Sequence, residues 1–330
     1  MIADVATLAA LRRLGLVAEG APVALTALSG GVSCDVWRAD IPGRPPLVVK
    51  RALPQLRVAA EWLAPVSRAE NEVAWLRRVA LIDPALVPVV VAHSPADHLF
   101  VLDWLDPARH PVWRDELVAG RVDPAFAAGL GAALARIHAD TAGEAGVARD
   151  FGDPALFDAL RIAPFFRTTA DRVPEVAARL HAIADALAQR RIALVHGDVS
   201  PKNILVGPTG GVFLDAECAV YGDPAFDLAF CTTHLLLKQV WLPQHRAALA
   251  QSAHQFVAHY LAGVRWEEAG PLADRAGELV AALLLARVEG KSPAPYLDDA
   301  ARALVRARAV ALLTGETPDV TDLIARWEPR

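Results

Sequence analysis

One stretch of this chain leaves little freedom in how it can fold. It reads Val195-His196-Gly197-Asp198-Val199-Ser200-Pro201-Lys202-Asn203-Ile204-Leu205-Val206, followed by Val212-Phe213-Leu214-Asp215-Ala216-Glu217. A short apolar strand delivers His196 and Gly197 into a loop that presents Asp198. Asn203 adds a neutral oxygen, and a further strand ends at Asp215. Two carboxylates and one amide oxygen are thus brought toward one place. An oxygen-only set of this kind suits magnesium, which keeps several waters and takes few protein ligands beside phosphates. One carboxylate is left over to hold a substrate hydroxyl.

The chain around this segment divides by pattern. Residues 23–28 and 34–39 read as strands joined by a glycine turn, Ser29-Gly30-Gly31-Val32-Ser33. After a proline-rich loop, residues 47–50 form a short buried strand ending in Lys50. The apolar period predicts a helix over 68–79, and residues 87–92 and 99–102 read as two more strands. Beyond Leu105 the composition changes. Helices are expected over 126–139 and 176–189, short strands over 192–195, 204–206 and 212–214, and mostly helix from Ala225 onward. A β-rich front and a helical back define an α+β architecture of two lobes, 1–105 and 106–330.

Composition narrows the function classes. A chain of 330 residues with 54% hydrophobic and 22% charged residues is a folded protein with room for two cores. A net charge of -5 gives no reason to expect a nucleic-acid partner. No run of about 18 apolar residues predicts a membrane span, and the N-terminal stretch reads as an amphipathic helix rather than a signal segment. The cytoplasm is the expected compartment. Cys34, Cys218 and Cys231 lack metal-site spacing and read as small buried hydrophobes. Gly290-Lys291-Ser292 lacks the first glycine and the preceding strand of a phosphate loop.

The HGDxxxxN pattern, followed by a strand and DxE, resembles the aminoglycoside phosphotransferase and choline kinase superfamily, whose fold is that of the protein kinases. The resemblance implies an ATP- and Mg2+-dependent small-molecule kinase. It makes Asp198 the catalytic base, Asn203 and Asp215 the metal ligands, and His196 a brace of the loop. Glu217 stands where protein kinases carry glycine, either as a further metal ligand or as a solvated acid beside the site. Asp227 would cap the backbone of the catalytic loop.

The front lobe supplies the remaining parts in the implied order. Ser29, Gly30, Gly31 and Ser33 would cover the phosphates, though the loop departs from GxGxxG. Lys50 would contact the α- and β-phosphates, paired with Glu72; Glu70 competes from another face of the helix. Val101, Asp103 and Trp104 would form the hinge strand against adenine.

A narrower likeness is to the methylthioribose kinases. It rests on Lys50-Arg51-Ala52-Leu53-Pro54-Gln55-Leu56-Arg57, on Trp62, Arg68 and Glu72, and on the run from Glu217 to Asp227. Asn203 departs from that branch, which tends to lack this asparagine. The branch implies a neutral, sugar-like alcohol as acceptor; the wider superfamily adds aminoglycosides and amino-alcohols. His234 and Lys238 could face the substrate cleft, although lone residues of this kind are more often structural or solvated. His138 reads as a packed core histidine. A rival reading is a nucleotide-binding pseudokinase or partner-binding module, against which stands the joint presence of all catalytic parts. A protein kinase is disfavoured by the lack of an APE-like sequence.

Overall fold

The computed structural model describes residues 5–28, 34–53 and 65–327. Ser29, Gly30, Gly31 and Ser33, and the stretch 54–57 with Trp62, lie outside the described residues.

The front lobe is an antiparallel five-stranded sheet. Its spatial order is β1 (Ala24–Ala27), β2 (Cys34–Asp40), β3 (Leu47–Ala52), β5 (Leu99–Asp103) and β4 (Val90–Ser94). Strand alternation sorts its side chains onto two faces. Leu47, Val49, Leu99 and Val101 bury Ala10 and Leu11 of helix α1 (Val5–Arg13). Phe100 and Leu102, with Val36 and Val48 beside them, face helix α2 (Arg68–Ile82) and the back lobe. Lys50 stands opposite Val36 on one neighbour and Phe100 on the other, and so shares the inner face.

β4 begins at Val90, later than the sequence pattern suggests. Pro84 opens a short 3-10 turn capped by the Asp83 carboxylate, which accepts from Ala85 N–H at 3.0 Å. Pro88 has no N–H to offer a ladder.

Helix α2 ties the lobes together. Val73, Trp75, Leu76 and Val79 form its buried stripe. The Trp75 ring meets His196 edge-on at 4.8 Å and Phe213 at 6.2 Å. One turn earlier, Asn71 Nδ2 donates to the carbonyls of Glu217 at 3.1 Å and Ala219 at 2.8 Å.

The back lobe is built on helices α3 (Pro124–Thr141), α4 (Ala177–Gln189), α5 (Ala225–Trp241), α6 (Arg246–Ala262), α7 (Ala269–Glu289) and α8 (Asp299–Thr314). Two small antiparallel ladders present the chemistry: β6 (Ala193–Val195) with β9 (Val220–Gly222), and β7 (Ile204–Gly207) with β8 (Gly210–Phe213). α5 runs through the middle, with every residue from Ala225 to Gln239 buried. Such a helix needs to be apolar on all sides, and its polar members are largely reconciled. The Thr232 and Thr233 hydroxyls donate to the carbonyls of Leu228 and Ala229, one turn back, at 2.7 and 2.8 Å. An unforeseen element is the π-helical run Asp158–Arg167, which contains Pro164. A proline inside a helix removes a donor and crowds the preceding turn, and a widened turn accommodates it. Among the described residues, no helix is long and apolar enough to cross a membrane.

α3 and α6 pack closely because glycine lies between them. A Cβ at Gly131 would fall on the Phe256 carbonyl oxygen, whereas one at Gly129, on the exposed side of the same helix, would meet nothing within 4 Å. Gly131→Ala should therefore cost about 1–3 kcal/mol by overpacking. Gly129→Ala should gain about 0.5–1 kcal/mol from helix propensity. Denaturant midpoints of the two variants check both signs.

Candidate active site

The loop after β6 is held by its own backbone. Asp227, at the start of α5, accepts from His196 N–H at 2.7 Å and Gly197 N–H at 2.9 Å. Its second neighbour is His138, whose Nε2 lies 3.3 Å away and whose Nδ1 is 2.7 Å from the Tyr260 hydroxyl. Gly197 has φ +81°, and a Cβ there would press on Cys218 at 2.9 Å, so glycine is required twice over. The His196 ring takes the Asp198 N–H on Nδ1 at 3.1 Å, so its Nε2–H donates to the Leu214 carbonyl at 3.0 Å. Burial lowers its pKa below the usual histidine range, which keeps this neutral tautomer.

Asp198 is thereby fixed. Its Oδ2 lies 3.0 Å from Arg161 Nη2 and 3.1 Å from Lys202 Nζ. Its Oδ1 accepts no hydrogen bond from the described residues. Arg161 also donates to the carbonyls of Gly197 and, at 2.7 Å, Leu160. Sequence reasoning missed this arginine. The one available signal was Pro164 inside a helical run, which marks the π-helical segment that carries it.

Asn203 donates from Nδ2 to the Asp198 carbonyl at 3.0 Å, and its Oδ1 accepts nothing from the described residues. Asp215 follows β8 with φ +67°, a left-handed conformation that aspartate tolerates better than most residues. Its Oδ1 meets Lys50 Nζ at 2.8 Å. Lys50 also reaches both oxygens of Glu72, at 2.7 and 2.8 Å. Glu70 lies apart, near His98 at 3.6 Å. Burial opposes charge on all three members of this cluster. For Lys50 the carboxylates of Asp215 and Glu72 outweigh it and raise the pKa well above the ordinary lysine value. For Asp215, Lys50 and then Lys202 outweigh it and hold the carboxyl well below its usual range. For Glu72, burial wins and pushes the carboxyl up to about 7.

The Glu217 carboxylate is engaged by the buried Arg68, whose Nε lies 3.1 Å from Oε2. No group of three His, Cys, Asp or Glu side chains among the described residues is arranged to hold a metal ion. The oxygens of Asn203 and Asp215 nevertheless fit magnesium, which draws most of its ligands from phosphates and water.

Two of the residues expected at the hinge are held within the sheet. Val101 pairs with Val49 on one side and Ala92 on the other, and its side chain belongs to the cluster against α1. Strand alternation turns it away from the cleft. The Asp103 N–H donates to the Val89 carbonyl at 3.1 Å, and its carboxylate accepts from Val89 N–H at 2.7 Å, so it closes the sheet edge. Trp104 lies just beyond the ladder, with the Arg38 guanidinium over its ring at 4.8 Å.

His234 and Lys238 lie one turn apart on the face of α5 that continues from Phe230. Both are buried, at 8% and 3% exposure. The His234 ring packs on Phe230 at 5.1 Å. Lys238 Nζ sits 5.0 Å from the Trp241 ring and 5.2 Å from that of Tyr296, and makes no hydrogen bond or ion pair among the described residues.

A two-lobed kinase-like fold with these residues at the junction defines a class of phosphotransferases. The model of the phosphotransferase enzyme family, APH, matches residues 24–266, and the chain belongs to that family. It is 29% identical over 225 residues to the methylthioribose kinase of Pectobacterium atrosepticum, covering 60% of this chain and 55% of that protein. The match therefore spans little more than half of that relative. Two solved structures share the fold. A choline/ethanolamine kinase family protein from Mesorhizobium loti has TM-score 0.55 and 19% identity, covering 98% of this chain and 99% of that one. An amicoumacin kinase, in complex with AMP-PNP and Ca2+, has TM-score 0.59 and 14% identity, covering 97% of each chain.

Burial, then Arg114 and Arg287, lowers the Lys238 pKa to about 8, with Asp115 acting in the opposite direction. A base with a depressed folded pKa destabilises the protein fully below that value, and the penalty fades as pH rises toward the unfolded lysine value. Lys238→Met should therefore stabilise the fold at pH 7, by up to about 3 kcal/mol. The gain should shrink steadily above pH 8. Melting temperatures of parent and variant across pH 6.5–10.5 check the sign and the window.

Proposed function

We propose that the protein moves the γ-phosphoryl group of ATP to a hydroxyl of a small molecule. The observation that carries this reading is the 2.8 Å contact between Lys50 on the sheet and Asp215 after β8, a cation and a carboxylate from the two lobes meeting at one point. Asn203 and Asp198 stand on the same loop beside it. The ATP analogue and divalent cation bound to the amicoumacin kinase support the same assignment.

In this reading, lobes 1–105 and 106–330 close over ATP and exclude water. Lys50, oriented by Glu72, contacts the α- and β-phosphates. Adenine lies along Trp104, against the inner-face residues Val36, Val48 and Leu102. Asn203 Oδ1 and Asp215 hold Mg2+, with Glu217, braced by Arg68, as the adjoining acid. The metal supplies charge neutralisation on the phosphates when bound. Asp198 Oδ1 accepts the hydrogen bond of the acceptor hydroxyl. As the acceptor oxygen bonds to the γ-phosphorus, the bond from that phosphorus to the bridging oxygen breaks. ADP departs and the hydroxyl proton passes to Asp198. Arg161 and Lys202 fix the other carboxylate oxygen, so the base arrives oriented. The branch likeness supports a sugar-like alcohol as acceptor.

Asp198→Asn should lower turnover by about 10²–10⁴-fold while Mg·ATP affinity is kept. Near-parental turnover would sink the assignment of the base. Asp215→Ala should lose the magnesium-dependent part of nucleotide affinity; unchanged affinity with magnesium would remove it from the metal set. Calorimetric titration with Mg·ATP and an ADP-release assay separate the two effects.

A further inference from the structure

Beyond Asp198 the back lobe carries a concentration of positive charge that the transfer chemistry does not consume. The Arg161 guanidinium, paired with Asp198, lies 5.6 Å from the Phe230 ring and 5.8 Å from Phe165. Phe230, His234 and Lys238 follow at intervals of one turn along a single face of α5, spanning about 12 Å. Arg287, near the end of α7, donates to the Ser292 carbonyl and, at 3.1 Å, to the Ser292 hydroxyl, but makes no ion pair among the described residues. Its Nε is buried with no hydrogen bond, as is the Tyr296 hydroxyl beside Lys238.

Burial lowers the pKa of His234 well below its ordinary value. Arg287, Lys238, Lys202 and Arg161 act in the same direction. A buried ammonium without a counter-charge is costly, and together with the Arg287 guanidinium beside the His234 ring it defines a place prepared for negative charge. A polycation or a quaternary amine would need carboxylates or open aromatic faces here. The Trp241 and Tyr296 rings are instead already taken by Lys238.

We propose that the acceptor alcohol also bears a carboxylate or phosphate group, held by Lys238 and Arg287 with His234 and Tyr296 as neutral hydrogen-bond partners, while its hydroxyl meets Asp198. This rests on the phosphotransferase reading and narrows its acceptor class. The anion is bound along α5, apart from the Lys50 site that takes the nucleotide. Arg161 stands between the two ends, with its guanidinium on Asp198 and its flank on Phe230. The acceptor's length is then set by the helix face.

The test uses matched acceptors that differ in charge: glycerol with glycerate and glycerol 3-phosphate, glucose with gluconate and glucose 6-phosphate, and methylthioribose and choline as neutral and cationic members. The full-length protein with Mg·ATP should prefer the anionic member of a pair. The carboxylate and phosphate members separate the two possible anions. Lys238→Met and Arg287→Met should each raise the KM for that acceptor by about 10–100-fold, with kcat and the KM for ATP nearly unchanged. In parallel, gluconate and inorganic phosphate at matched ionic strength should raise the melting temperature of the parent and not of Lys238→Met, whose own fold is not weakened.

Preference for the neutral or cationic member would overturn the proposal, as would anion stabilisation that survives both substitutions or is absent from the parent. A rise in the KM for ATP in the two variants would reassign the charge to the nucleotide and also overturn it. Mg·ATP binding, measured separately, keeps the two levels apart. If the nucleotide binds and anions do not, only the acceptor class fails; if the nucleotide does not bind, the phosphotransfer reading fails with it.

Discussion

The buried ammonium of Lys50, shared between Glu72 and Asp215, is the contact on which the geometry of the cleft depends. It is made by three elements with different partners: a central strand, a helix that crosses to the other lobe, and the turn after β8. A charge so buried is tolerable only while its counter-charges stay within hydrogen-bond reach, and removing either would strand the others at a cost of about 3–5 kcal/mol. The pKa directions express that tension. Burial drives Glu72 toward its neutral form, while Lys50 and Asp215 hold each other ionised. A triphosphate arriving beside Lys50 would compete with Asp215 for the ammonium and free that carboxylate for a metal. The ion pair is thus both the clasp between the lobes and a stand-in for the anions it would admit.

A second set of constraints fixes the loop on which Asp198 sits, and it is almost wholly backbone. Asp227 accepts from two N–H groups, His196 accepts from a third and donates to the Leu214 carbonyl, and Asn203 Nδ2 donates to the Asp198 carbonyl. None of these interactions needs a mobile side chain at the solvent boundary. Trp75 then packs against His196 from the other lobe, so the loop is braced by the same helix that carries Glu72. Preorganisation of this sort serves catalysis because the geometry is set before substrate binds.

Much of this was legible in the sequence, because the relevant residues are local to strand ends and turns. Asp198, Asn203 and Asp215 follow apolar strands whose directions are fixed by their ladders, and Glu72 lies on the buried stripe of a clearly periodic helix. The division of labour among Val101, Asp103 and Trp104 was not legible, for a reason equally local. A hinge strand still obeys alternation and still owes its backbone groups to its neighbours, so only the residue past the last rung is available. Arg161 and Arg287 were illegible for the opposite reason. They come from a π-helical turn and a distant helix end, and only packing against α5 brings them to the cleft. No pattern of spacing encodes that meeting.

α5 shows how stability and function pull apart in this molecule. A helix buried on every side is most stable when apolar or internally satisfied, and Thr232 and Thr233 obey that rule by bonding back to the turn before them. Lys238 does not obey it, since among the described residues its ammonium meets two aromatic rings and no hydrogen-bond or ion-pair partner. Leucine or methionine would serve the core better, so the amine at this position is a local violation of the folding pattern rather than a contribution to it. Such violations are expected where a site must be kept ready for a ligand. The same face of α5 begins with Asp227, which shapes the catalytic loop, and passes Phe230, which carries Arg161. One helix therefore sets the position of the Asp198 loop, the arginine paired with Asp198, and the charge at the far end. A change in its tilt or register would move all three together, which under the proposed function would couple the choice of acceptor to the placement of Asp198.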